Sequence, residues 1–311
     1  MKLIESKVEY IPQEDGLEGI YKQIELAGRT AYHSQDKITP DSAKNFVEKM
    51  IKSKHGAALE HGTVYLAIPY TNNEILSHYR GVAGKYNEIE FTKYSKVTMM
   101  RGTHNYVTTN YRVLIENNWL DDLQYLCSPT EFHEKRYTMR FICSRAIANE
   151  LVRHRVFSFL QESTRYINYS KERHGGEITF IKPYWFNDNQ LPLDLKVAQS
   201  SNTNGAVFYE RPYKAYWIDT DAKGFNWHKE DFFIHSCQTA EQCYFLMLEE
   251  GAVPQQARDI LPLATKSEII MTGFESDWKY FLDLRLRETT GKVHPDMKVL
   301  AEQINEKLTK K

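Results

Sequence analysis

YTMRFICSRAIANELVRHRVFSFLQESTRY, residues 137–166, passes from a strand into a helix and out into a crowded polar loop. Tyr137 to Cys143 alternates enough to predict a strand. Ser144 can offer its oxygen to the first free amides of a helix running to about His154. Working outward, the spacing of Ile20, Ile24, Leu26 and Ala27 predicts a helix over 16–32, and Thr39-Pro40 opens a second over 40–54. The β-branched and aromatic run Thr63 to Ile68 predicts a strand, and 110–126 a helix. Downstream come a helix from His235 to Glu250 ended by Gly251, a short helix opened by Pro254, a strand from Glu268 to Thr272, a helix from Ser276 to Arg287, and a last helix opened by Pro295. Helices flank short strands without a βαβ rhythm, so the expected class is α+β. The chain is expected to form a single domain over 1–311. It carries an irregular insertion at about 167–233, where Gly175-Gly176 and the polar run 200–205 show little apolar periodicity.

Composition narrows the function. The 311 residues hold 40 Lys+Arg against 41 Asp+Glu, a net charge of −1, without the basic excess that nucleic-acid backbones demand. No apolar run approaches the roughly 20 residues that span a bilayer, so no membrane partner is expected. The four cysteines form no CxxC pair, and the opening MKLIESKVEY lacks an apolar leader segment. A reduced, cytoplasmic protein is the expectation.

The densest polar constellation follows the predicted helix. His154 continues the stripe of Ile147 and Leu151, which predicts a half-buried ring. Arg153, Arg155 and Arg165 gather around Ser158, Gln161 and Ser163, and guanidinium is the fork that grips phosphate with two parallel bonds. A plain helix terminus, with cations on the dipole and loop arginines paired to Glu162, fits the same residues. On the helix after Ser276, Arg285 shares a face with Trp278, Phe281 and Leu282, where a charge must find a partner or reach water along its apolar stem. Arg258, in PQQARDILP, can pair with Asp259 or with a ligand.

RHR followed by seven residues and Ser163, extended as RHRxxSxxQxSxRY, resembles the signature of flavin-dependent thymidylate synthases. HGAALEH resembles that family's histidine loop, PQQARDILP its short arginine helix and FLDLR its late arginine helix, all in the family's order. The resemblance implies a homotetramer with shared active sites that hold FAD. It implies methylation of dUMP to dTMP, with 5,10-methylenetetrahydrofolate and NADPH as co-substrates. By position, His55, Arg153, His154, Arg155, Val156 and Gln161 fall where the family binds FAD. Glu150, Arg153, Gln161, Glu162, Ser163, Thr164, Arg165 and Arg258 fall where it binds dUMP, and Arg285 falls on the arginine credited with activating the uracil ring. Ser163 is expected to contact nucleotide and not to act as a covalent nucleophile. Glu150 stands where many members carry Gln, Ala57 replaces a small hydroxyl residue, and Phe274-Glu275-Ser276 departs from the family pattern.

Two rival readings exist. His55, His61 and His154 could serve a metal-dependent nucleotide hydrolase, although HxxxxEH is not a spacing that closes a metal site. The RHR cluster and the 20 tyrosines could serve an RNA-binding module, against which the charge balance stands.

Overall fold

The computed structural model describes residues 1–79, 94–101, 103–165, 167–171, 175–190, 196–198, 207–210 and 228–310. In chain order the strands are β1 (Lys2–Ile4), β2 (Lys7–Ile11), β3 (Thr63–Pro69), β4 (Lys96–Arg101), β5 (His104–Asn110), β6 (Arg136–Ser144), β7 (Ser158–Gln161), β8 (Thr179–Ile181), β9 (Lys196–Ala198), β10 (Val207–Glu210) and β11 (Lys266–Phe274). The helices are α1 (Gly16–Ala31), α2 (Ser42–Lys52), α3 (Gly56–Leu59), α4 (Asn73–Tyr79), α5 (Tyr111–Asn117), α6 (Arg145–Leu151), α7 (Lys229–Glu249), α8 (Pro254–Ala257), α9 (Glu275–Arg285) and α10 (Pro295–Thr309). Helix and sheet are mixed, and the described strands form sheets ordered β8-β1-β10-β9, β2-β6-β11-β7 and β3-β5-β4.

The chain divides into two compact units, each discontinuous in sequence. The first comprises Met1–Lys7, Ile142–Asn149 and Ser163–Ser267; the second comprises Val8–Phe141, Glu150–Glu162 and Glu268–Lys311. The core of the second collects Ile20 and Ile24 of α1, Val47 of α2, Leu66 of β3, Val107 of β5, Leu114 of α5, Leu160 of β7 and Ile270 of β11. Ile20, Ile24, Ala27 and Ala31 are buried at helical spacing, so α1 turns one apolar face inward, as its sequence predicts.

The first unit corrects the reading of 167–233. Three described stretches of that segment are strands: β8 runs parallel to β1, and β10 pairs antiparallel with both β1 and β9. Ile167, Tyr169, Ile178 and Phe180 are buried with Leu3, Ile234 and Tyr244. Where the sequence predicts irregular structure, β8, β9 and β10 are regular strands. The strands are three or four residues long, too short for periodicity to announce them. Gly175 and Gly176 do turn the chain, at φ +80° and +66°. Tyr166 and the run 200–205 lie outside the described residues.

Other boundaries differ for local reasons. The helix expected over 110–126 is split: α5 stops at Asn118, whose φ of 60° is left-handed, and a 3-10 turn, Leu120–Tyr125, follows. The helix expected over 40–54 begins at Ser42 instead, and α7 starts six residues before His235. Ser144 caps α6 as expected, its Oγ accepting from the Ile147 amide at 3.3 Å. The helix closes at Leu151, because 152–155 turn back through a His154 amide bonded to the Leu151 carbonyl at 3.1 Å. Beyond it lies β7, where the sequence suggested loop; it pairs antiparallel with β11, Gln161 opposite Ile269 and Ser158 opposite Thr272.

Candidate functional site

In the second unit, the last residue of α9 meets the turn after α6. Trp278, Phe281 and Leu282 of α9 are buried and leave Arg285 at the edge of their face, its side chain 22% exposed. Its Nε–H donates to His154 Nε2 at 3.0 Å, and NH1 donates to Glu150 Oε2 at 3.1 Å. The unmatched cation of the α9 stripe therefore has partners. A guanidinium has no lone pair to offer, so His154 Nε2 must accept, which leaves the ring neutral with its proton on Nδ1. Burial, and then the Arg285 charge, lower the His154 pKa from 6.5 to about 4. The ring is half-buried, as its stripe predicts, and lies 4.7 Å from Phe281 and 6.4 Å edge-on to Phe157.

Arg153, Arg155 and Val156 are exposed on the turn between α6 and β7. No carboxylate among the described residues neutralises Arg153 or Arg155. Gln161 ends β7 half-buried. Glu162, only 3% exposed, accepts from the Glu268 amide at Oε2 (3.0 Å), while its own amide donates to the Glu268 carbonyl at 2.8 Å. His55 stands at the N-terminal cap of α3, beside Tyr32 with ring centroids 6.0 Å apart. Its Nδ1 is buried and has no partner.

In the first unit, Arg258 NH1 donates to Thr164 Oγ1 at 3.3 Å, and Arg258 Nε lies 3.8 Å from Asp259 Oδ1. Thr164 is buried, Ser163 half-buried and Arg165 exposed.

Several supporting residues escaped the sequence reading. Arg136, the first residue of β6, is buried; it donates to the Glu60 carbonyl at 3.1 Å, Thr63 Oγ1 at 3.4 Å and Ser158 Oγ at 3.3 Å. Burial lowers its pKa to about 10, so it stays a cation near neutrality. The signature serine Ser158 is thus held by an arginine outside the signature. A second buried set links His61 Nδ1 to Thr272 Oγ1 and Thr272 Oγ1 to Thr138 Oγ1, both at 2.8 Å. Extending the predicted strand by one residue would have put Arg136 on the same face as Thr138.

The cysteines offer no activated thiol in the described environments that shift them. Burial raises Cys143 and Cys237 to about 12, and raises Cys127 as well. Among the described residues no group of three or more His, Cys, Asp or Glu side chains is gathered to hold a metal ion, and His61 is engaged with Thr272 instead. No described helix is long and apolar enough to cross a membrane.

Comparison with known proteins agrees with the signature. A family model described as thymidylate synthase complementing protein matches residues 117–311. A probable flavin-dependent thymidylate synthase of Paramecium bursaria Chlorella virus 1 is 28% identical over 160 residues, 51% of this chain and 61% of the viral protein. A flavin-dependent thymidylate synthase of Pyrococcus abyssi is 30% identical over 146 residues, 47% of this chain and 44% of that protein. The chain spans about half the length of the curated relatives it matches. Among solved structures, a UMP/dUMP methylase PolB from Streptomyces cacaoi, bound with 5-Br dUMP, aligns over 100% of this chain and 93% of its own, with a TM-score of 0.42 and 16% identity.

Proposed function

The chain belongs to the thymidylate synthase complementing protein family, and from that membership we propose that it acts as an FAD-dependent thymidylate synthase. In this reading it methylates dUMP to dTMP with 5,10-methylenetetrahydrofolate and NADPH. The observation that carries the reading is the Arg285 guanidinium, fixed by a neutral His154 whose ring lies against Phe281. A cation set at such an edge can draw charge toward a pyrimidine oxygen and make C5 nucleophilic, which is electrostatic stabilisation of developing charge. The burial that raises Cys127, Cys143 and Cys237 supports a route without a cysteine nucleophile.

The residues fit an FAD. Its diphosphate needs cations that no carboxylate already occupies, and Arg153 and Arg155 qualify. Exposed Val156, half-buried Gln161 and the partnerless Nδ1 of His55 add an apolar contact and hydrogen-bonding positions for a ring system. The flavin, when bound, supplies the hydride chemistry, and the chain's own task is to orient ligands and exclude water. Glu150, Glu162, Ser163, Thr164, Arg165 and Arg258 are residues we assign to the nucleotide. Thr164 steadies Arg258 through its hydroxyl. Ser163 takes a binding role and forms no covalent bond.

The proposal includes a homotetramer with shared sites, a single functional domain over 1–311 and a cytoplasmic location. The test is direct. Purified protein carries or takes up FAD with the flavin absorbance bands, and releases tritium from dUMP labelled at C5 when NADPH and the folate are present. Arg285→Ala keeps the flavin and loses turnover on the order of 100-fold or more. Protein that neither binds FAD nor makes dTMP overturns the reading.

A further inference from the structure

A guanidinium carries five N–H donors in a rigid plane, so fixing one of them fixes the direction of the rest. On Arg285 the described residues engage two: Nε–H with His154 and one N–H of NH1 with Glu150. The two holds differ in chemistry. His154 is neutral, and its ring is wedged against Phe281 and Phe157, so it can orient the cation without cancelling its charge. Glu150 cancels part of that charge, and its side chain is 34% exposed, free to swing into water.

We propose that His154 is a positioning residue for Arg285: its Nε2 fixes the Nε edge of the guanidinium permanently, while Glu150 holds the NH1 edge only until an anionic or carbonyl-bearing ligand replaces it. The proposal rests on the reading of Arg285 as the group that polarises the pyrimidine. His154 then needs no contact with substrate. Its Nδ1–H remains a donor toward whatever lies on its other side.

The test has a spectroscopic arm and a kinetic arm. In protein labelled with ¹⁵N-histidine, with His154 assigned by the spectrum of His154→Phe, Nδ1 carries the proton and Nε2 is bare. Arg285→Ala shifts the Nε2 resonance. A protonated Nε2 in the wild type, or no response to Arg285→Ala, overturns the proposal whether or not the chain turns over dUMP.

In the flavin-loaded protein, His154→Phe keeps the ring packing and removes the acceptor. Its kcat falls on the order of 10- to 100-fold, the cost of a misplaced group. The KM for dUMP stays within about threefold, so the loss lies in kcat measured at saturating flavin. His154→Gln, whose side-chain oxygen can take the same Nε–H, recovers most of the loss. In an Arg285→Ala background, His154→Phe costs less than about twofold more, because the two residues act as a unit. Equal losses in both backgrounds, or a Gln variant no better than Phe, overturn the proposal. A wild type that binds no flavin and forms no dTMP defeats the functional reading instead, and the nitrogen assignments still decide the role of His154.

Discussion

A Cβ on Gly273 would lie 2.3 Å from Cδ1 of Phe157, so β11 has no room for a side chain where the turn after α6 lays its phenyl ring. Phe157 is buried and meets Trp278 edge-on at 4.7 Å, which leaves the ring no free direction in which to give way. Gly273→Ala is expected to cost about 1–3 kcal/mol, the usual price of overpacking. Combining it with Phe157→Leu should recover part of that loss, a coupling that chemical denaturation of the two single variants and the double variant measures. Strict additivity would show that the two positions do not touch.

Arg136 places one guanidinium against a carbonyl and two hydroxyls from separate segments, with Phe274 beneath it at 5.4 Å. Arg136→Met removes the donors and leaves Glu60, Thr63 and Ser158 acceptors short of partners in a buried site. The expected destabilisation is roughly 2–4 kcal/mol. Arg136→Lys keeps the charge but reaches one acceptor at a time, so it should restore less than half of the loss. Urea midpoints for the three proteins give the comparison, and a Lys variant as stable as wild type would refute the forked role.

Glu162 and Glu268 bind each other through one backbone and one side-chain contact, and both side chains are buried. Glu162→Ala leaves the Glu268 amide without its side-chain acceptor, at about 1–3 kcal/mol. Glu162→Gln keeps an oxygen at that place and should lose less than about 1 kcal/mol. If the Gln variant folds well yet binds dUMP far more weakly, the carboxylate charge also serves the nucleotide. Equal stability of the Ala and Gln variants would show that the amide contact contributes nothing.

What the sequence made legible follows periodicity. The stripes of α1 and α9 identified Ile20, Ile24, Trp278 and Phe281 as buried, and the misfit Arg285 as a residue needing a partner. Ser144 signalled the start of α6 through its capping chemistry. Strands β7, β8, β9 and β10 were not legible, because three or four residues carry at most two alternations and their pairing partners are distant in the chain. The split at Asn118 depends on one residue adopting a left-handed backbone, which asparagine tolerates but does not announce. His154 could be read as half-buried, yet its partner Arg285 lies 131 residues away, and no local pattern connects the two.

The neutral histidines set a pH response of definite sign. In the unfolded chain a histidine takes up its proton near pH 6.5, whereas folded His154 waits until about 4 and folded His61, fully buried, until about 3. Between those limits the unfolded state binds more protons, so the stability from keeping both rings neutral is complete above pH 6.5 and is lost as pH falls. For His61 the loss amounts to about 2 kcal/mol by pH 5, and for the partly solvated His154 to less. Asp277 and Glu177, whose carboxyls burial raises, work in the opposite sense: their stabilisation is present at low pH and fades as pH rises through their folded pKa values. The His154→Gln variant separates the contributions, since it removes one titrating ring and leaves the carboxyls in place. Unfolding free energies from urea titrations at pH 7, 6 and 5 should fall steadily in the wild type and less steeply in the variant. Identical slopes would mean that His154 takes up its proton alike in the folded and unfolded chain, so that the hydrogen bond from Arg285 does not hold the ring neutral below pH 6.5.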